Sequence, residues 1–514
     1  MDSESLSYKT LKNASYTFIN YVVPIVFSVF ITPVVVHKLG VVDYGVFILV
    51  GTINAFLALL DLGLGVALVK YISQYQAEGN FEGLKNLLNS AYSLYFIIGI
   101  FGFLVYFILG KFFLPIFHIV NQSEGHILIV FLLSGALFFI SSISNLYGIV
   151  PAAMQRFDIT TKISLGQLTI FNLGILIAVL LGYKLKVILL LNVITSFGMT
   201  LVFRAKFKQL MPKIKLRLAW SKAEIIKAYR FGLLAAANNL ASSSLIQLDR
   251  FIIPIFLGPA ALSYYSLPGN VAQKTAGVTN SAAGVVFPLA SAMEGTGETE
   301  RLKGIYLRVM RNVTIVAAGC TMAIIAFAYP ILFYWLGKDF ADKGWQILII
   351  LAATYFLLAI YNSLSYFLLG LNKLKFLLSV SIFLALLNLG LLLAFIPKMG
   401  ILGAAWAYLG GVLPIPFIIY WAEKKYFGLV SQGKFYLKLY SKLLVTSAAF
   451  YLLGHFFISR LVVNFTSLVI VGPLVVLFYF FLYWLLGFME PEDRTVLNGF
   501  LLKIKEKFLK SNAQ

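Results

Sequence analysis

Lys274 stands alone in a long uncharged stretch: Phe251–Gln273 precede it and Thr275–Met293 follow it, without one formal charge. An ammonium is costly to place in hydrocarbon, so an intramembrane lysine usually faces a watery cavity and touches a partner. Asp249 and Arg250 break the preceding apolar run. Two cations and one carboxylate on adjacent helices suggest a pathway for an anionic substrate. The alternative for Asp249 and Arg250 is mutual charge compensation, with Arg250 snorkelling outward. Asn239, Ser243, Gln247 and Arg250 share one helical face at i, i+4, i+8 and i+11. That face can present amides and hydroxyls to sugars, or bond to another helix. Asp61, in Leu60-Asp61-Leu62-Gly63-Leu64-Gly65, is the other carboxylate expected inside the membrane. A desolvated carboxylate changes protonation readily, so Asp61 and Asp249 are candidates for coupling to a proton or a sodium ion. A structural hydrogen bond to a neighbouring helix would also account for Asp61.

These residues need a scaffold, and the composition says which kind. Of 514 residues, 60% are hydrophobic and 12% charged, with mean hydropathy +0.90. Soluble domains carry about 25% charged residues, so the chain reads as an all-α integral membrane protein. Its apolar runs are continuous, whereas barrel strands alternate over about ten residues. A spanning helix needs about 20 apolar residues, and about fourteen such runs fit. They lie near 14–36, 44–69, 87–109, 127–151, 163–182, 187–203, 231–256, 261–290, 312–336, 345–369, 376–396, 401–421, 443–459 and 465–487. The first run reads as an uncleaved span, being too long for a signal sequence. Pro268-Gly269-Asn270 is expected to break the eighth helix and expose backbone groups.

The net charge of +21 would point to nucleic acid in a soluble protein. Here the connecting loops absorb it, and no nucleic-acid partner is expected. Alternate loops carry 30 and 8 basic residues, which places both termini in the cytoplasm of a cell (inner) membrane protein. The basic loop 204–227 divides the chain. The expected domains are 1–210 and 211–425, each a six-helix lobe, and 426–514, an appended helix pair with a cytoplasmic tail. Leu39-Gly40-x3-Tyr44-Gly45-x-Phe47 recurs 218 residues later as Leu257-Gly258-x3-Leu262-Ser263-x-Tyr265. Both copies sit in the turn joining the first two helices of a lobe. An offset of six helices preserves topology, so the two lobes read as a pseudo-symmetric parallel repeat.

No Walker motif is present, which argues against ATP hydrolysis within the chain. The single cysteine, Cys320, excludes an internal disulfide, and the four histidines are scattered without metal-ligand spacing. No nucleophile–base arrangement stands out, so no catalytic residue, metal or cofactor is expected, and the chain does not read as an enzyme. A pseudo-symmetric helical bundle with charges buried in it describes a secondary transporter.

Leu39-Gly40-Val41-Val42-Asp43-Tyr44-Gly45-Val46-Phe47, Leu60-Asp61-Leu62-Gly63-Leu64-Gly65 and Val69-Lys70-Tyr71-Ile72 resemble the opening of Wzx-type polysaccharide flippases. These belong to the multidrug/oligosaccharidyl-lipid/polysaccharide exporter superfamily. Asp249-Arg250-x6-Leu257-Gly258 and Gly400-Ile401-Leu402-Gly403-Ala404-Ala405-Trp406-Ala407 extend the resemblance through the second half. The resemblance implies a V-shaped pair of six-helix lobes around a cationic cavity. It implies an undecaprenyl-diphosphate-linked oligosaccharide moved from the cytoplasmic to the outer leaflet. Without an ATP motif, alternating access by rocking of the two pseudo-symmetric lobes is the economical route. Lys274 and Arg250 would then meet the diphosphate, since phosphate recruits Lys and Arg. A glycan polymerase and glycosyltransferases would be partners. The competing readings are a peptidoglycan lipid-precursor flippase, a multidrug exporter of the same superfamily, and a non-transporting scaffold subunit of a glycan-assembly complex. The first half lacks the deeply buried arginines of the peptidoglycan-precursor subfamily.

Overall fold

The computed structural model describes residues 23–112, 114–117, 124–283, 286–296, 298–429, 432–454 and 461–490. No strand occurs among them. In chain order the helices are α1 (Val23–Leu39), α2 (Val41–Ala58), α3 (Leu64–Ala77), α4 (Phe81–Phe112) and α5 (Glu124–Ala153). Next come α6 (Phe157–Leu180), α7 (Leu185–Leu210), α8 (Lys222–Ala283), α9 (Val286–Thr296), α10 (Thr299–Ala326) and α11 (Ala328–Leu336). The last are α12 (Lys338–Gly370), α13 (Leu374–Val412), α14 (Ile415–Ala422), α15 (Gly433–Leu453) and α16 (Phe465–Leu485). Among the described residues, 10 helical stretches are long and apolar enough to cross a membrane. Two of these, Ala236–Gly277 and Leu374–Phe427, are hairpins that bend at Gly258 and Gly400. With α1 and α15 added, a described helix answers each span expected from sequence. Residues 14–22 of the first expected span, 284–285 of the eighth, the last residues of the thirteenth, and the basic tail from Arg494 lie outside the described residues.

The chain divides into two compact units. One comprises Met1–Pro268 with Asn372–Leu413, the other Gly269–Leu371 with Pro414–Gln514. In the first unit α4 and α5 pack closely, and α5 also packs on α7. Its core joins Leu64, Leu68 and Ile72 of α3 to Leu84, Leu88 and Tyr95 of α4 and to Leu146 and Val150 of α5. In the second unit α12 is the central helix, with Ile347, Leu348, Leu351, Leu364 and Phe367 almost fully buried. Glu423, 1% exposed, lies in that unit where the chain makes a short π-helical turn, Glu423–Phe427. Tyr306 donates to it at 2.8 Å, and Tyr436 donates to it as well. Tyr306 also stacks on Phe427 with ring centroids 4.3 Å apart. A buried carboxylate with two hydroxyl donors is a structural tie between α10 and α15.

The repeated turn is visible in the backbone itself. Gly40 has φ 85 and ψ 161, and Gly258 has φ 79 and ψ 172. Only glycine occupies that region without strain, so both copies of the motif need glycine for one geometric reason. Within the first unit the two turns also touch. Ser263 Oγ donates to the carbonyl of Val41 at 2.6 Å, and a Cβ on Gly45 would lie 1.9 Å from the Pro259 carbonyl oxygen.

The ninth and twelfth expected spans are each interrupted, at Phe327 and at Leu413-Pro414, and two more helices differ from expectation. The second span is not one helix: it breaks at Leu59–Asp61, and Leu62 (φ 47) and Gly63 (φ 80) are left-handed. The cause is Asp61, whose carboxylate accepts the Gly65 backbone N–H at 3.1 and 3.2 Å and so caps α3 from before its start. Conversely, Pro268-Gly269-Asn270 stays helical, and Gly258 is the only interruption of α8. Gly269 packs against Leu351 of α12, close enough that a Cβ would lie 3.3 Å from its Cδ1. That packing holds the segment straight despite the hydrogen bond lost at Pro268.

Candidate functional site

The α8 face expected at Asn239, Ser243, Gln247 and Arg250 lies in the first unit, and its side chains are half-buried to exposed. Asn239, Ser243 and Gln247 make no intramolecular hydrogen bond among the described residues. Their neighbour on the adjacent face behaves differently: Ser242 Oγ pairs with Ser381 Oγ of α13 at 3.2 Å. The helix-to-helix bond is therefore made by Ser242, and the expected face keeps its amides and hydroxyl for a ligand or water.

Asp249 is 2% exposed. Its Oδ2 accepts a short hydrogen bond from Tyr265, and its Oδ1 accepts the Arg250 backbone N–H at 2.9 Å. The Arg250 guanidinium adds electrostatic compensation. Tyr265 is the last residue of the second turn motif, so the motif places the donor for the buried acid. Tyr265→Phe is expected to leave that carboxylate short of a donor and to cost about 1–3 kcal/mol. Thermal melting of the purified protein should fall by several degrees. An unchanged midpoint would show that Asp249 is satisfied without Tyr265.

Asp61 belongs to a different place. Tyr95 of α4 donates to its Oδ1 at 3.2 Å, and Asn145 Nδ2 of α5 lies 3.5 Å from the Tyr95 hydroxyl. These three line a cavity of about 700 Å³ enclosed by α2, α4, α5, α6 and α7. Sequence reasoning singled out Asp61 but missed the cavity around it. The available signal was Ser141-Ser142-Ile143-Ser144-Asn145, a polar run inside an apolar span.

Lys274 lies in the second unit, and its side chain is exposed. No carboxylate among the described residues pairs with it. It stands at the edge of a groove of about 220 Å³ lined by Cys320, Phe327, Leu468, Val471 and Val475, from α10, the α10–α11 junction and α16. A cation beside an apolar groove suits an amphiphile with an anionic head. No group of three or more His, Cys, Asp or Glu residues able to hold a metal ion occurs among the described residues.

A further constellation, unanticipated from sequence, joins α2 and α3 to α8 within the first unit. Phe56 meets Phe251 edge-on at 5.8 Å, and Gly63 and Gly232 meet backbone to backbone. The Lys70 ammonium lies 3.8 Å above the Phe231 ring. Tyr75 donates to Glu224 at 2.8 Å and accepts from Lys227 at 2.8 Å. The hydrogen bond to Tyr75 holds Lys227 above the usual lysine range. A raised lysine keeps its contribution below its unfolded value of about 10.4 and loses it only at higher pH. This latch is therefore insensitive to acidification through Lys227.

The helical architecture and the repeated turn have counterparts among solved membrane proteins. A multidrug resistance MATE family transporter in an inward-facing conformation superposes with TM-score 0.66 at 14% identity, over 76% of this chain and 91% of that one. The lipid II flippase MurJ, inward closed, superposes with TM-score 0.66 at 14% identity, over 95% of this chain and 100% of that one. Identities this low show the fold alone. No curated protein matches in sequence. The family described as polysaccharide biosynthesis protein matches residues 9–294, and the chain belongs to that family. The resemblance carried by the motifs between Leu39 and Ile72 falls inside the matched region.

Proposed function

We propose that the protein flips a polyprenyl-diphosphate-linked oligosaccharide from the cytoplasmic to the outer leaflet for polysaccharide biosynthesis. The family assignment over residues 9–294 carries this reading. The amides and hydroxyl of Asn239, Ser243 and Gln247 and the ammonium of Lys274, all without an intramolecular partner among the described residues, support it, since the substrate joins a polar glycan to an anionic linkage and an apolar chain. Diphosphate recognition falls to Lys274 and Arg250, and glycan contact on α8 to Asn239, Ser243 and Gln247. Both termini are cytoplasmic, as the 30-to-8 partition of basic residues requires. The two lobes 1–210 and 211–425 rock about the repeat axis, with 426–514 appended. The glycan polymerase and the glycosyltransferases that supply the substrate are its partners.

Transport is coupled to a proton or sodium gradient through Asp61 or Asp249. Reconstituted flipping of a labelled lipid-linked oligosaccharide tests the whole reading. The unmutated protein is expected to respond to an imposed pH or sodium gradient, and Asp61→Asn or Asp249→Asn to abolish that response. Gradient-independent flipping by the unmutated protein would remove the coupling and leave downhill movement drawn by product consumption. Movement of a peptidoglycan precursor or of a cationic drug in its place would favour the other members of the superfamily.

A further inference from the structure

We propose that the cavity around Asp61 is a saccharide-binding site that takes part of the glycan of the transported lipid; this rests on the flippase reading above. The cavity belongs wholly to the first unit, away from the α8 face expected from sequence to meet sugars. Three observations assign it.

The first is size. About 700 Å³ falls within the ~300–1,000 Å³ of small-molecule sites. A bare cation needs only its ligands at ~2.0–2.6 Å, so an ion alone leaves most of this space unexplained.

The second is the unspent hydrogen-bonding capacity of the lining. Asn54 Oδ1 accepts from Tyr106 at 2.9 Å, which leaves its NH2 for the cavity. Gln167 Nε2 donates to Ser196 at 3.0 Å, which leaves its carbonyl oxygen. Asn145 directs its NH2 at Tyr95, which leaves its carbonyl oxygen. Ser141, Ser144 and Ser164 have no intramolecular partner among the described residues. Donors and acceptors are thus both on offer from α2, α5 and α6, as a polyhydroxylated ligand requires.

The third is charge. Among the described residues no Lys or Arg lines the cavity, and its one carboxylate is that of Asp61. A diphosphate would meet a carboxylate and no cation, so the anionic linkage is excluded. A neutral sugar hydroxyl can donate to that same carboxylate. The rings of Tyr95, Phe138 and Phe203 supply the apolar part of the wall. Recognition of the glycan is thereby separated from recognition of the diphosphate.

Two measurements test this on the full-length protein. In the first, the probe is the glycan pool released by mild acid from lipid carriers of the producing cells. Its binding to purified protein is read by saturation-transfer NMR. Binding is expected with unmutated protein and expected to weaken about tenfold in Asn145→Leu and Gln167→Leu. Ser141→Ala and Ser144→Ala remove hydroxyls that hold nothing internally, so they cover the case in which the leucine variants misfold. In the second, proteoliposomes compare flipping of the intact lipid-linked oligosaccharide with flipping of a polyprenyl diphosphate bearing one sugar. The variants are expected to lose about tenfold for the first substrate and less than about twofold for the second. Equal loss for both would overturn the proposal and assign the cavity to an ion. Unchanged binding and flipping would overturn it in favour of a water-filled lumen. Unmutated protein that binds the free glycan yet moves neither lipid would keep the saccharide site and overturn the flippase reading.

Discussion

Lys274→Ala is expected to lower export about 10- to 100-fold, a loss of ~1.5–3 kcal/mol, as when a charge-assisted contact disappears. In a complementation assay at normal protein abundance this reads as failure to export. The structure sharpens the reason. The ammonium is exposed, without a carboxylate partner among the described residues, beside a groove lined by Phe327, Leu468 and Val475. The sequence from Phe251 to Met293 carries no other formal charge, so the ammonium falls inside an apolar span. An unpaired cation there is costly, and an anionic head group with an apolar tail satisfies both it and the groove. Lys274→Arg keeps the charge but spreads it over a planar fork, so partial export is expected. Normal export by Lys274→Ala would show that the side chain merely snorkels to lipid headgroups.

Periodicity and charge counting made much of the fold legible. Apolar runs revealed the spans because a helix crossing a membrane must be apolar along its length, and chain order does not matter to that test. The repeated Leu-Gly turn was legible because its glycines answer a backbone demand, which a single sequence displays as identical letters. The break at Leu62-Gly63 was not legible. Nothing in an apolar run announces that a carboxylate will turn back to cap the next helix, and Asp61 there looks the same as a coupling group. Glu423 was missed for a related reason: it adjoins Lys424 and Lys425 and reads as loop. Only the fold shows that Tyr306 and Tyr436 enclose it. The α8 face could be proposed from sequence because all its residues lie on one helix at helical spacing. The cavity around Asp61 was not, because its lining is drawn from several helices, and the polar run Ser141–Asn145 alone does not say which other helices face it.

Gly232→Ala is expected to force apart α3 and the start of α8, and with them the latch at Tyr75. A Cβ at Gly232 would lie 2.5 Å from the Gly63 carbonyl oxygen, and a Cβ at Gly63 would lie 2.5 Å from that of Gly232. Both obstacles are backbone, so neither swings aside as a side chain would. Overpacking of this kind costs about 1–3 kcal/mol. Gly63→Ala adds the penalty of a left-handed residue at φ 80, another ~1–2 kcal/mol. Gly198→Ala is the control, since a Cβ there meets nothing within 4 Å. Spin labels at Gln74→Cys and Arg230→Cys, in a Cys320→Ser background, report the seam directly. Their separation should lengthen by several ångströms in Gly232→Ala and stay put in Gly198→Ala. On the flippase reading proposed above, flipping should fall at least tenfold, because rocking lobes need this seam to close. Lys70 above Phe231 and Tyr75 between Glu224 and Lys227 lie along the same contact. If the glycine pair sets how closely the backbones approach, Glu224→Gln should open the labels less than Gly232→Ala does. The reverse order would make the polar latch, and not the backbone contact, the determinant of closure.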